Sequence, residues 1–465
     1  MGFVVLMYLS LWVSGNVVFQ VQHKFTGTTE SLTGFKAHDS FRHRRILSAV
    51  DLPIGGDGSP ISMALYFTKI QIGTPPRDYH VQVDTGSDLL WVNCAGCDSC
   101  PRRSDLGIPL SLYNPMLSSS SRIMTCDQDF CPSSIISSSN DCIMGMRCPY
   151  VVRYGDGSQT KGYFVRDIVQ LDRVSGNRQT VNMKGSFEFG CGSRQSGGLG
   201  ESQQALDGIL GFGQSNSSIL SQLALAKKVK KTFSHCLAGS RGGIYAIGEV
   251  VHPKVDTTPI LPNKAHYNAE LLAIQVGGDF VNLPFSMNTP SRRGTIIDSG
   301  TTLAYFPDGI YNQLMNKIMA SQPNEEIYIV DHQFKCYKYR GNVDDGFPIV
   351  TFHFANLLKL KVKPSQYLFQ VQSKKWCIGF MSNGVQPDVT LLGDLVLTDR
   401  LVTYNMEDQT IGWTDYDCSS SIKVKDEESG LVYEVGGHDI SGAGRTHSSA
   451  FLWMVFIIVT KMAMY

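Results

Sequence analysis

Short runs in which apolar and polar residues alternate recur along most of the chain, as in Tyr66 to Ile72, His80 to Val83, Gly162 to Leu171 and Leu271 to Val276. Each is bounded by Gly, Pro or Asn, so the period of two predicts half-buried β-strands joined by turns. Helical spacing is rare. The best candidates are Ile219 to Lys230, rich in Leu and Ala, and Asp308 to Ser321, where Ile310, Leu314 and Ile318 recur four apart. The pattern predicts an all-β chain with few short helices.

The two ends break this pattern. Residues 1–19 hold the apolar run Phe3 to Val13 and then Ser14 and Gly15, which reads as a secretory signal peptide, with a buried first strand as the alternative. Residues 20–60 read as a pro-segment and linker: Arg42, His43, Arg44 and Arg45 sit together, and a Gly/Pro-containing stretch, Pro53 to Pro60, precedes the first strand. At the far end, Ala450 to Thr460 is apolar but too short for a spanning helix, which needs about 20 residues. Ser441, Gly442 and Ala443 precede it, followed by a polar spacer through Ser449. Small triplet, spacer and tail together form a GPI-anchor signal, with Ser441 the first choice of attachment site, Gly442 the second, and 442–465 removed. A short tail-anchored helix is the alternative. Residues 419–441 are expected to be a polar linker to the anchor.

Composition narrows the function. The 465 residues are 42% hydrophobic and 18% charged, enough for about two or three domains with real cores. Lys plus Arg equals Asp plus Glu at 41 each, so no global field favours nucleic acid. The twelve cysteines are Cys94, Cys97, Cys100, Cys126, Cys131, Cys142, Cys148, Cys191, Cys236, Cys336, Cys377 and Cys418. In an exported chain disulfides are their default state. No His follows the Cys94, Cys97, Cys100 series at ligand spacing, so no metal is expected, and the series alone leaves the pairing open. Asn216-Ser217-Ser218 is an N-glycosylation sequon and implies an exposed loop.

An internal repeat carries the chemistry. Val81-Gln-Val-Asp84-Thr85-Gly86-Ser87-Asp88-Leu89-Leu-Trp91 matches Thr295-Ile-Ile-Asp298-Ser299-Gly300-Thr301-Thr-Leu303-Ala-Tyr305. Ile209-Leu210-Gly211 follows the first copy and Leu391-Leu392-Gly393 the second. One such loop would be an ordinary Asx turn. In two related halves facing across a dyad, both carboxylates would meet, and two like charges that close cannot both ionise. One shared proton then gives an acid and a base together. The ionised partner can take a proton from a water while the protonated one polarises an amide carbonyl, which is what peptide hydrolysis requires.

With those residues in view, the stretch from about Ala64 to Cys418 resembles the pepsin family of aspartic proteases, and within it the plant branch similar to nepenthesin, of the GPI-anchored type. Tyr66 to Pro76 resembles the family's opening hairpin. The resemblance implies a bilobal fold with a first lobe over 64–248 and a second over 255–418, and no cofactor. It implies Asp84 and Asp298 as catalytic, supported by Thr85, Gly86, Ser87, Ser299, Gly300 and Thr301. Tyr154, Gly155 and Asp156 match a flap that closes over substrate, and Trp91 matches the partner of the flap tyrosine. The stretch from Cys94 to Cys148 resembles the cysteine-rich insertion of the nepenthesin-like group, Cys336 with Cys377 is implied as a bridge, and Cys191 with Cys418 as a possible one between lobes.

The expected function is that of an endopeptidase acting on peptides or proteins at acidic pH, a monomer at the cell surface or in the secretory pathway. Asp88 and Asp156 would raise the dyad's pKa if they lay close and ionised. Two other classes stay open: a catalytically silent binding or glycosidase-inhibitor relative, and a transmembrane receptor. The other candidate residues carry bland readings. His235 is expected to be a surface or packed residue, and Lys227, Lys228, Lys230 and Lys231 a solvated helix end.

Overall fold

The computed structural model describes residues 48–60, 63–131, 142–283, 294–322, 325–331, 333–384, 389–427 and 429–440. The expected signal peptide, the basic run Arg42 to Arg45, and the anchor residues Ser441 and Gly442 lie outside them. Strands dominate. Tyr66 to Ile72 lies within Leu65–Ile72, His80 to Val83 within Arg77–Asp84, Gly162 to Leu171 within Gln159–Gly176, and Leu271 to Val276 within Asn268–Val276. The alternating residues bury one face, as period two requires: Ile70 and Ile72 are buried while Lys69 is exposed.

The two helical expectations fared differently. Asp308–Ala320 matches its pattern and buries Ile310, Leu314, Met315 and Ile318. The other helix covers only Ile219–Leu225, with Ser218 as its N-cap, accepting from the Ser221 amide. It stops because Lys227 turns left-handed at φ 56° while the Lys228 amide returns to the Leu223 carbonyl, which aims Val229 into the core. The lysines beyond are not simply solvated: Lys230 lies 2.8 Å from Glu427 and 3.3 Å from Glu249, and Lys231 donates to the Gln214 carbonyl.

The sheet topology repeats itself. Arg77–Asp84 pairs antiparallel with Leu65–Ile72 on one side and parallel with Gly208–Gly211 on the other, which in turn pairs antiparallel with Leu90–Asp98. In the second half, Gly294–Ile297 pairs antiparallel with Asn268–Val276 and parallel with Thr390–Leu392, which pairs antiparallel with Ala304–Phe306. The duplicated sequence thus folds into duplicated four-strand units, and the architecture is bilobal and all-β. The halves are also joined in one sheet: Thr232–Leu237 pairs with Arg400–Asn405, which pairs with Thr410–Asp415.

Three expectations are corrected. The stretch Pro53 to Pro60, read as linker, contains the strand Ile54–Asp57, paired with Leu65–Ile72. Just before it, Val50–Asp51 is inserted between Gln159–Gly176 and Gly243–Ile247. Gly56 in the Ile54–Asp57 strand serves packing rather than flexibility, since a Cβ there would sit 2.1 Å from the Leu65 carbonyl oxygen. The polar linker expected over 419–441 is a hairpin, Ser421–Lys425 with Val432–Gly436, stacked beside Glu249–His252 and burying Ile422, Val424 and Val435. Finally, Cys191 does not pair with Cys418. Val92 and Cys191 are register partners on adjacent strands, so Cys191 bonds Cys94, while Cys418 bonds Cys236. The other bridges are Cys97–Cys100, Cys126–Cys142, Cys131–Cys148 and the expected Cys336–Cys377.

The C-terminal segment closes over the N-terminal strands. His438 exchanges backbone hydrogen bonds with Gly243, its Nε2 lies 2.8 Å from Asp51 Oδ2, and the Ile440 amide donates to the Ile54 carbonyl. The hydrogen bond to Asp51 is the main force raising the His438 pKa, helped by the charges of Asp51 and Asp172 and opposed by burial. A cation stabilised by folding contributes fully below its unfolded pKa, about 6.5, and loses that contribution as pH rises through the raised folded value. His438→Ala is therefore expected to cost about 1 kcal/mol at pH 5, with the deficit shrinking by pH 8. Thermal unfolding at both pH values checks this, and an equal loss at each would rule out the ion pair as the cause.

Candidate active site

Each half ends a strand at an aspartate: Asp84 closes Arg77–Asp84, and Asp298 follows Gly294–Ile297. The next three residues turn back and cradle the carboxyl. The Gly86 amide donates to Asp84 Oδ1 at 2.8 Å, and the Ser87 hydroxyl donates to Oδ2. In the second loop the Gly300 amide donates to Asp298 Oδ1 at 2.8 Å and the Thr301 hydroxyl to Oδ2 at 2.6 Å. Four of the six residues expected to support the pair, Gly86, Ser87, Gly300 and Thr301, thus cradle it in matching positions.

The loops are fastened to each other from below. Thr85 Oγ1 donates to the Ile297 carbonyl at 3.3 Å and accepts from the Ser299 amide at 2.9 Å, while Ser299 Oγ donates to the Val83 carbonyl at 3.4 Å. These cross-bonds bring each carboxyl against the opposite loop's glycine. A Cβ on Gly86 would lie 2.6 Å from both Asp298 oxygens, and one on Gly300 would lie 2.0 Å from Asp84 Oδ1. Only glycine fits there. The second element of the repeat has a similar reason. Gly211 and Gly393 pass beneath their loops so closely that a Cβ on Gly393 would meet the Thr301 carbonyl oxygen at 2.2 Å, and one on Gly211 the Asp88 carbonyl carbon at 2.4 Å.

The carboxyls are nearly dry, 5% exposed at Asp84 and 6% at Asp298. Burial first, and then the neighbouring Asp298 charge, push the Asp84 pKa up to about 7, against the opposing pull of the Ser87 and Gly86 hydrogen bonds. Unit charges 4 Å apart at an effective dielectric of about 20 repel by about 4 kcal/mol, which disfavours ionising both carboxyls of a close pair.

Tyr154 stands over the pair. Trp91 Nε1 donates to its hydroxyl at 2.7 Å, Ser87 also hydrogen-bonds it, and burial followed by the Asp84 charge keeps the phenol protonated. Tyr154 begins the turn of a hairpin, Pro149–Arg153 with Gln159–Gly176, whose tip residues Gly155, Asp156 and Gly157 are exposed. Asp156 Oδ1 accepts from the Ser158 amide and hydroxyl, so its carboxylate shapes the turn. The cysteine-rich insertion braces the hairpin from behind: the Cys131–Cys148 bridge places Phe130 edge-on to Phe164, 5.2 Å between ring centres, and Phe164 packs on Tyr150.

Two carboxylates expected near the dyad do not act on it. Asp88 turns aside to accept from the Ser215 amide, and burial raises its own pKa. The Asp156 charge is felt at Tyr305. The third carboxyl is instead Asp394, which the repeat comparison stopped one residue short of. It is fully buried, its Oδ1 has no hydrogen-bond partner, and its pKa is raised well above the carboxylate range by burial and by the charges of Asp298 and Asp84. The Leu391-Leu392-Gly393-Asp394 run was its available signal.

The remaining expected sites lie elsewhere. Asn216 is exposed on the loop before Ile219–Leu225. His235 is packed, fully buried 3.2 Å from the Tyr404 hydroxyl, and burial pulls its pKa down to about 3. The sulfurs of Cys126, Cys131 and Cys142 gather within 4.8 Å, but all three are consumed in bridges.

Comparison with known proteins places this geometry. The family models described as Xylanase inhibitor N-terminal and Xylanase inhibitor C-terminal match residues 66–249 and 266–415. The chain is 49% identical to Aspartic proteinase 36 of Arabidopsis thaliana, covering 96% of this chain and 93% of that one. It is 48% identical to Aspartic proteinase 39 of the same plant, over 93% and 91%. Identity to Aspartic proteinase nepenthesin-2 of Nepenthes gracilis is 30%, over 80% and 81%. Among solved structures, Basic 7S globulin from soybean superposes with a TM-score of 0.62 at 20% identity, covering 80% of this chain and 97% of the globulin, which speaks to fold alone.

Trp91→Phe removes the indole donor and keeps the packing. A hydrogen bond worth roughly 0.5–1.5 kcal/mol should then be missing from the closed hairpin. Hydrogen exchange at residues 155–158 is expected to speed up roughly two- to tenfold while Arg77–Asp84 stays protected. Unchanged exchange at the tip would mean that Trp91 does not hold Tyr154.

Proposed function

The chain belongs to the plant pepsin-like aspartic proteinases and is an aspartic endopeptidase, and we propose that it hydrolyses peptide bonds with a water activated between Asp84 and Asp298. The observation that carries this reading is the meeting of the two carboxyls in a dry site with the Asp84 pKa raised. Asp84 holds the shared proton and donates it toward the scissile carbonyl, while the negative charge on its partner draws a proton from the water. The carbonyl carbon gains the hydroxyl, the tetrahedral intermediate collapses, and the amine leaves with a proton. No side chain becomes acylated.

Substrate enters as an extended strand beneath the Tyr154 hairpin and is held through its backbone. Apolar residues are favoured at the scissile bond. Supporting this, the Trp91 loop adjoins a cluster with Leu89, Ile209 and Tyr154, and the Leu303 loop adjoins one with Tyr305, Phe369 and Leu395. A catalytically silent binding protein has no need of the cradling donors and the shared proton, so the enzyme reading is preferred.

The enzyme works in the secretory pathway or at the outer cell surface as a monomer of the nepenthesin-like branch. A signal within residues 1–19 exports it, a GPI group at Ser441 or Gly442 anchors it, and Asn216 carries a glycan. Release from membranes by a phosphatidylinositol-specific phospholipase tests the anchor, and retention after that treatment rejects it.

Asp84→Asn and Asp298→Asn should each lower peptide cleavage by roughly 10^3-fold while the fold persists. Because the active form keeps the dyad proton, activity should be highest in acid and fall as pH rises through about 7, where Asp84 loses it. The Ser87 hydrogen bond lowers the Asp84 pKa, so Ser87→Ala should shift that alkaline limb upward as well as slowing the reaction. A kcat/KM profile on a peptide substrate reads both effects. Cleavage that survived either aspartate substitution would overturn the mechanism.

A further inference from the structure

We infer that Gln82 gives the site a one-sided side-chain preference. The residue flanking the scissile bond over the Asp84 half is one with an apolar body and a hydrogen-bond-donating tip, such as tyrosine or glutamine, while its neighbour over the Asp298 half is apolar throughout. This rests on the proteolytic reading above and names the substrate class of the same site. Arg77–Asp84 turns Tyr79, Val81 and Val83 into the core. By the period of two, His80, Gln82 and Asp84 share the opposite face, and Gln82 stands about 6.6 Å before the carboxyl-bearing residue. A side chain next to the scissile carbonyl spans that distance.

The row across the sheet at this point is otherwise apolar. Gln82 is in register with Phe67 on one side and Ile209 on the other, and Ile209 is in register with Trp91. Phe67 packs with Met63, Leu65 and Leu206, while Ile209 packs with Leu89 and Trp91 in the cluster that Tyr154 joins. A half-buried amide among them costs desolvation that a β-branched aliphatic would not. The duplicated half shows that alternative. Ile296 takes the equivalent place two residues before Asp298, in register with Leu391, which is in register with Tyr305. The halves thus match at carboxyl and cradle but offer different chemistry on the strand beside them.

The Gln82 amide is already oriented. Its Nε2 donates to the Gly300 carbonyl at 3.4 Å, reaching from the first half to the second loop. A carbonyl can only accept, so the nitrogen end faces Gly300 and the oxygen end is turned elsewhere. No protein donor reaches Oε1 among the described residues, and the atom is open to solvent. It is a free acceptor on the face that carries Asp84. A phenol hydroxyl or a carboxamide N–H can donate to it, whereas phenylalanine or methionine would displace its water and leave it without a donor. Ile296 offers no acceptor, so the same polar tip over the other half would lose water and gain nothing.

The test uses enzyme purified from cells secreting the full-length chain, and peptide substrates carrying Tyr or Phe, and Gln or Met, on either side of the scissile bond. From kcat/KM, wild type is expected to favour Tyr over Phe and Gln over Met roughly two- to tenfold, on one side of the bond only. Gln82→Met and Gln82→Leu keep an apolar side chain and remove the acceptor, and both ratios are expected to fall to one or below. Ratios of one on both sides in wild type, a preference on both sides, or a preference that the variants retain would each overturn the proposal and leave the dyad mechanism standing. The wild-type ratios can overturn it even if neither variant folds. Cleavage of none of these peptides by wild type would remove the proteolytic reading and the proposal together.

Discussion

Two carboxyl groups held against each other inside the protein are the constraint on which the rest of the structure depends. Left alone, Asp84 and Asp298 would repel and seek water. They are kept together by the reciprocal bonds of Thr85 and Ser299, which tie each loop to the backbone of the opposite half. They are kept apart from any side chain by Gly86 and Gly300, where a Cβ would collide with the facing carboxyl. The cost of burying them is offset by four hydrogen-bond donors.

Holding that pair steady requires the two halves to be a single body. The shared sheet supplies most of this, since Thr232–Leu237 from the first half pairs along its length with Arg400–Asn405 from the second. The Cys236–Cys418 bridge reinforces it. At its centre Phe233 and Tyr404 stack with ring centres 4.5 Å apart, and Tyr404 reaches the Ile297 carbonyl just below the second loop. Rigidity beneath the dyad contrasts with the hairpin above it, whose tip is exposed and held by the Trp91 bond to Tyr154. A substrate can be admitted by moving the hairpin while the carboxyls stay in register.

Much of the site was legible because duplication writes the same local solution twice. Asp, hydroxyl, Gly, hydroxyl is a turn whose donors fold back on its own carboxyl, and those contacts span only two or three residues. The strands and the helix Asp308–Ala320 were legible for the same reason, since their burial follows a short period. Errors fell where the deciding partner was remote. The Gly/Pro stretch before Leu65 reads as a linker, but Gly56 there is required by the close approach of the Leu65 backbone. Ile422-Lys423-Val424 looked polar until Glu249–His252 covered its apolar face. Asp88 and Asp156 would have acted on the dyad had they lain close to it, yet Asp88 accepts from the remote Ser215 amide and Asp156 from its own turn, whereas Asp394 comes near the dyad from almost a hundred residues beyond Asp298.

By itself the sequence determined an all-β duplicated chain and the pair of aspartates that could share a proton, because each of these follows from periodicity or short-range geometry. Tertiary structure alone decided which cysteines bond and which third carboxyl lies near the pair. Those outcomes depend on distances between segments far apart in the chain, set by strand order and register. A motif can supply a carboxylate and its donors, but only the fold brings two such carboxyls against each other.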